Sequence, residues 1–185
     1  MLHLLAQTSP SARDDYREFE RWLLDWLLAR MPRALVCRRD ADDLAALHHM
    51  ALRSRDRSVA ALLRSAHGAD AAAVRTGPGG RVPTGLTVFD LALVRAGEGP
   101  PAHVVRGGAR DMRGFQGRMA RMLEVLRDRG DVPFTSERHE GVSREESVRR
   151  ALEALDEKVE GILAARVAGE RGAAADADAV WPRVV

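Results

Sequence analysis

The chain has 185 residues, 29 basic and 27 acidic side chains and a formal net charge of +2, and it is long enough to bury a core without a metal or a disulfide. Its single cysteine, Cys37, excludes an internal disulfide framework and a cysteine-based zinc site. The N-terminus has no basic start and no long apolar run, so we expect a cytoplasmic protein without a secretory signal or a membrane anchor.

The densest apolar stretch is Trp22–Leu28, which holds two of the three tryptophans and four leucines. It predicts a helix that has Ser11 as its cap and Asp14, Asp15 and Glu18 near its start, and that ends before Pro32. Trp22 and Leu24 widen its apolar surface beyond half of the circumference, so we expect the helix to be packed on two sides, by the rest of the fold or by a second subunit. The predicted core stripe comprises Tyr16, Phe19, Leu23, Trp26 and Leu27. The predicted interface residues are Trp22, Leu24 and Trp26.

Two further helices are predicted, one opened by Asp40 and one around residues 58–65, after a short apolar run at 34–37 that has the composition of a strand. The first of these helices carries His48 and His49. Adjacent side chains on a helix point about 100° apart, so this pair does not suit one metal ion, and we predict no metal site.

The central section predicts β structure. Residues 86–94 form an apolar, partly β-branched run, and residues 102–105 form a second one after a Gly-Pro-Pro turn. They indicate a small antiparallel sheet. The alternative is an apolar helix at 86–95 within an all-α fold, because a short apolar run does not by itself distinguish a buried strand from a buried helix. The glycines at 77–80 match neither phosphate-binding nor dinucleotide-binding motifs, so no cofactor is predicted and the loop is interpreted as a turn.

A long helix is predicted at 109–129, with one apolar stripe formed by Met112, Phe115, Met119, Met122, Leu123 and Leu126. Its segment is basic, and five arginines make a candidate nucleic-acid surface: Arg106, Arg110, Arg113, Arg118 and Arg121. Two other interpretations of these arginines compete with nucleic-acid binding. The arginines form a solvated face, or they bind an acidic protein partner, which can be the chain's own last helix.

The last helix has the clearest start, because Ser143 and Glu146 have the spacing of a capping box. Its stripe runs from Val148 to Ile162, and the segment after residue 130 is acidic. From residue 169 the periodicity is lost. We therefore expect one domain over 1–168 and a flexible or loosely docked tail over 169–185.

Together these features predict a predominantly helical α+β domain with a small central antiparallel sheet. The sequence contains no catalytic motif, so a non-enzymatic interaction or regulatory protein is expected, with a homo-oligomer or a protein partner and no membrane contact. Two features favour an interaction protein. One is the surplus apolar surface near Trp22, and the other is the methionine-rich stripe of the helix at 109–129, because methionine adapts to varied partners. The alternatives are a nucleic-acid-binding protein and a small hydrolase or nuclease-like enzyme centred on Asp90, although a neighbouring Glu-x-Lys is missing.

Overall fold

The computed structural model describes residues 2–7, 14–80, 82–135 and 141–167, and within these ranges helices and loops account for the whole fold. The helices are α1 (Leu2–Gln7), α2 (Asp14–Leu28), α3 (Arg33–Val36), α4 (Ala46–Leu52), α5 (Asp56–Arg64), α6 (Gly68–Ala73), α7 (Val88–Glu98), α8 (Ala102–Gly107), α9 (Ala109–Asp128) and α10 (Arg144–Val167). The described part of the chain has no strand, and its β pairing is a single isolated bridge between Arg39 and Ala45.

The predicted central sheet is therefore wrong, and the α+β class with it; the all-α alternative describes the fold. The run at 86–94 is not a strand, because Thr87 and Asp90 start a helix there. The Thr87 hydroxyl accepts the Asp90 N–H at 3.1 Å, and the Asp90 carboxylate accepts the Thr87 N–H at 2.9 Å. This reciprocal cap satisfies donors that a helix start leaves without partners.

The second predicted strand is also wrong. Residues 102–105 lie in α8, which follows Pro101, and proline suits the start of a helix because its fixed φ is already helical. The strand-like run at 34–37 forms the single turn α3, again directly after a proline. Ordinary helix-start chemistry thus outweighs the β-branched composition of both segments.

The core surrounds α7, which packs against α4, α9 and α10. Nearly every side chain of α7 is buried, and its exposed residues are Val94, at 45%, and Glu98 at its end. The helix ends at Gly99, whose φ of 87° lies in the left-handed region. Lys158 of α10 donates a hydrogen bond to the Gly97 carbonyl near this end.

The prediction for α9 is confirmed, and the capping box predicted at the start of α10 is confirmed in its Ser143 half. All six apolar positions of the predicted α9 stripe are buried. The Glu146 N–H donates to the Ser143 hydroxyl at 3.2 Å, as a cap at the start of α10 requires. The Glu146 carboxylate binds Arg149 and Arg150 instead of completing the box, and the hydrogen bonds from these two arginines lower the pKa of Glu146 to about 2.

Arg144, the first residue of α10, joins it to the end of α9. Its guanidinium donates to the carbonyls of Arg129 and Val132, each at 2.6 Å, and to that of Leu126 at 3.2 Å. It also lies 5.1 Å from the centre of the Phe89 ring. The last carbonyls of a helix need such donors, so one side chain ties α9, α10 and the start of α7 together.

The N-terminal helices are held to α5 by another buried arginine. Arg55 forms an ion pair with Glu20 of α2 at 2.9 Å and donates to the Leu5 carbonyl of α1. This contact fixes one face of α2 toward the core. No described helix is long and apolar enough to cross a bilayer. The predicted tail at 169–185 lies outside the described residues.

Candidate interaction face on α2

Helix α2 has two apolar faces. The inner face consists of Leu24, Leu27 and Leu28, which are buried among the core residues. The outer face, which we call the aromatic face, consists of Phe19, Trp22 and Trp26 and covers about 60° of the circumference on the opposite side. The predicted core stripe is therefore rotated from the observed one, because Phe19 and Trp26 point outward.

The aromatic face is exposed to solvent. Phe19 is 54% exposed, Trp22 56% and Trp26 41%. The rings of Phe19 and Trp22 stack with their centroids 6.0 Å apart. Aromatic side chains bury roughly 150–250 Å² each, so half-exposed rings leave on the order of 300 Å² uncovered, which is at the low end of the range for the largest apolar patch on a monomer.

The edges of the aromatic face carry charges. The guanidinium of Arg30 lies 4.6 Å from the centre of the Trp26 ring. On the opposite edge, Arg21 and Asp25 form an exposed ion pair at 4.0 Å. An apolar centre with a charged rim is the usual composition of a protein interface. Arg30 follows Trp26 by four residues, so a helical projection places them side by side.

Of the three predicted interface residues, Trp22 and Trp26 lie on the aromatic face. Leu24 is 2% exposed and belongs to the inner face. It therefore supports the position of α2 on the core and is not available to a partner.

The arginines of the candidate nucleic-acid surface are partly engaged by the fold. Arg121 pairs with Asp56 at 2.7 Å, and Arg113 pairs with Glu160 of α10 at 2.5 Å. Both acidic partners neutralise charge that a phosphate contact would need. Arg106 and Arg110 are exposed and Arg118 is half-buried, and nucleic-acid binding through this surface stays a prediction.

Asp90 is 1% exposed, and its carboxylate serves the cap of α7. Besides the Thr87 contacts, its Oδ2 accepts the Thr135 hydroxyl at 3.0 Å. A carboxylate held in this way by neighbouring donors has a structural role that the sequence did not indicate, because the segment was interpreted as a strand.

His48 and His49 have different hydrogen-bond partners and different structural roles. The Ala45 N–H donates to Nδ1 of His48 at 3.1 Å, so Nε2 carries the proton and donates to the Val74 carbonyl at 3.0 Å. Burial lowers the pKa of His48 to about 4. His49 instead binds the Asp40 carboxylate at 2.7 Å. Within the described ranges, no three His, Cys, Asp or Glu side chains come together as metal ligands.

The glycine-rich loop is occupied by the chain's own carboxylate. The Gly79 N–H donates to the Asp43 carboxylate at 2.7 Å, and the Gly77 N–H donates to the Asp43 carbonyl at 3.0 Å. A Cβ at Gly77 would lie 2.4 Å from the Asp43 side chain, so the close approach requires glycine. The loop closes over Asp43 and acts as a structural turn.

The methionine stripe of α9 lies in the core. Met112, Met119 and Met122 are all fully buried. They fill the core and so give no support to partner binding.

Comparisons with protein-family models, with curated proteins and with solved structures find no match to this chain. The structure itself therefore describes the protein as a helical domain with an exposed aromatic face on one helix.

Proposed function

We propose that the protein is a non-enzymatic cytoplasmic interaction or regulatory protein that acts as a homodimer, with the aromatic face of α2 as the contact between copies. The exposure of Phe19, Trp22 and Trp26 is the observation that carries the proposal. Leaving three such rings in water forgoes about 25 cal/mol per Å² of apolar surface, and a second copy removes that cost.

The aromatic face is complementary to itself in an antiparallel arrangement. Positions related by a twofold axis near Trp22 lie at equal heights, because each helical residue rises about 1.5 Å. Phe19 of one copy is then level with Trp26 of the other, and the two Trp22 rings meet at the centre.

The charged rim fits the same arrangement. A twofold axis in the contact plane keeps each edge of one helix beside the same edge of the other. Arg21 and Asp25 share one edge, so Arg21 of each copy lies within about one helical residue of the level of Asp25 in the other. Opposite charges thus meet across the dimer as they do within one helix.

The size of the face sets the expected strength. A standard interface covers about 800 Å² per partner, and the aromatic face offers on the order of 300 Å² before its neighbours contribute. We therefore expect a reversible dimer with a dissociation constant on the order of 1–100 μM.

Sedimentation equilibrium of the full chain over a concentration series tests the proposal. We expect a monomer–dimer equilibrium that the double variant Trp22→Ser/Trp26→Ser weakens by at least about tenfold, because the central rings carry most of the contact energy. The control is Leu4→Ser/Val94→Ser, which removes exposed apolar side chains on α1 and α7. A native chain that is monomeric throughout, or equal effects of both double variants, contradicts the proposal.

A charge exchange tests the antiparallel arrangement. Arg21→Asp places like charges across the contact and is expected to weaken the dimer several-fold, and the exchange Arg21→Asp/Asp25→Arg is expected to restore it. If the exchange weakens the dimer as much as the single change does, the proposed pairing is wrong.

A further inference from the structure

A cleft of about 560 Å³ lies between α1, the end of the α2–α3 connection, α3 and the loop at 38–41. Its apolar lining comes from Leu2, Met31 and Leu35. Leu2 is fully buried beneath it and Leu35 is 43% exposed at its side. The volume lies within the range of small-molecule sites, and the lining offers an apolar body a place to bind.

Two arginines, Arg38 and Arg39, line the same cleft. Neither side chain forms a hydrogen bond or an ion pair with any residue that the structure describes. Some other arginines have carboxylate partners, as Arg33 with Asp70 at 2.5 Å and Arg121 with Asp56 at 2.7 Å. The cleft is therefore lined by two arginines whose side chains have no ion-pair partner among the described residues.

The carboxylate that lines the cleft, Asp40, has its hydrogen bonds with other partners. The Oδ1 atom of Asp40 accepts the N–H groups of Asp42 at 3.0 Å and Leu44 at 3.2 Å. Its Oδ2 atom binds Nε2 of His49 at 2.7 Å. Burial acts to raise the pKa of Asp40, but the hydrogen bonds from His49 and Leu44 outweigh it and keep that pKa below its ordinary value. Asp40 is thus committed to the turn before α4.

We propose that this cleft binds a small organic anion, with its acid group on Arg38 and Arg39 and its apolar body against Leu2, Met31 and Leu35. Guanidinium groups bind carboxylates and phosphates through paired, charge-assisted hydrogen bonds. The apolar wall adds affinity only for a ligand that carries a hydrocarbon or ring body, so simple inorganic anions bind poorly. The site is separate from the aromatic face of α2 and does not depend on dimer formation.

Isothermal titration calorimetry of the full chain tests the proposal with decanoate and decyl phosphate, each below its micelle concentration. We expect saturable binding of at least one, and the tighter of the two identifies the acid group. Decanol, which lacks the charge, and acetate, which lacks the apolar body, are expected to bind at least about tenfold more weakly, the change that 1.4 kcal/mol produces.

Variants locate the site. Arg38→Gln/Arg39→Gln is expected to weaken binding at least about tenfold, because both charge-assisted contacts are lost. The matched control is Arg57→Gln/Arg64→Gln on α5, which removes the same charge from two exposed arginines. Leu35→Asp is expected to weaken binding through the apolar wall, and Trp22→Ser/Trp26→Ser is expected to leave it unchanged.

Three results would overturn the proposal: no saturable binding of either acid, decanol binding as tightly as the acids, or equal losses in the two arginine double variants. Loss of binding in the tryptophan variant would also overturn it, because the ligand would then lie on α2. Circular dichroism of each variant confirms that the helices are retained.

Discussion

His48 is a buried imidazole whose two nitrogens both serve the backbone, one at the start of α4 and one at the end of α6. Its protonated form would lose the acceptor that Ala45 N–H uses, and burial penalises the charge as well. The sequence argued against a metal ion shared by His48 and His49 but did not indicate that His48 stabilises the fold.

His48 therefore makes stability depend on pH. Burial lowers its pKa from 6.5 to about 4, so between these values the unfolded chain binds a proton that the folded chain does not. The free energy of unfolding then falls as the pH falls from about 6.5 to about 4, by on the order of 3 kcal/mol from this group.

Urea unfolding followed by circular dichroism at several pH values measures this loss. The control is His48→Gln, which keeps a donor and an acceptor but does not titrate, and its stability is expected to change less across the same window. Equal slopes in the two proteins would assign the pH dependence to other groups.

Asp90 is predicted to be a stability residue. Asp90→Ala removes the side-chain half of the α7 cap and leaves the Thr87 and Thr135 donors without their acceptor. We expect the free energy of unfolding to fall by about 2–4 kcal/mol, the sum of a lost cap and buried polar groups left without partners. Asp128→Ala, at an exposed position, is the control and is expected to change stability by less than about 0.5 kcal/mol. Equal effects would contradict the capping role.

At the scale of the element, α9 contains two glycines whose conformational cost the packing does not explain. A Cβ at Gly114 would meet the end of the Arg118 side chain at 3.3 Å, and one at Gly117 would meet the end of Arg121 at 3.4 Å. No backbone of another helix approaches within 4 Å of either position. The close helix approach that interior glycines often indicate is absent at both sites.

Gly114→Ala and Gly117→Ala are therefore each expected to raise the free energy of unfolding by about 1 kcal/mol, because alanine favours the helix and the arginine ends shift easily. Gly68→Ala is the opposing control, since its Cβ would lie 2.0 Å from the Leu63 carbonyl oxygen. Thermal unfolding of the three variants checks the signs. A loss of stability in the α9 variants would mean that the arginine positions matter to the fold.

Helix α7 shows why the class of fold was not predictable from its most apolar segment. A helix buried on all sides has no polar stripe, so its sequence lacks the 3.6-residue period that identified α9 and α10. The Thr87-x-x-Asp90 spacing is the sequence feature that indicates the start of a helix at this position. It was not recognised as such, because Asp90 was interpreted as a strand residue.

At the scale of the whole molecule, the sequence predicted the features that depend on a single helix. It did not predict the features that depend on how several helices pack together. The buried positions of α9 and the start of α10 were readable from periodicity and capping. The excess apolar surface of α2 was readable too, but the choice of which face turns inward depends on Arg55 and on the packing of α1 and α5. The cleft was beyond sequence reasoning, because its walls come from separate segments.

The order in which the helices are synthesised has a consequence for folding in the cell. Helix α7 is surrounded only when α10, the last described helix, has packed against it and against α9. A nascent chain that ends before Arg144 leaves the α10-facing side of this apolar helix uncovered, and such a surface promotes aggregation. Residues 144–167 therefore complete the core late, and until they have packed, the uncovered side of α7 remains open to self-association through the interior of the fold.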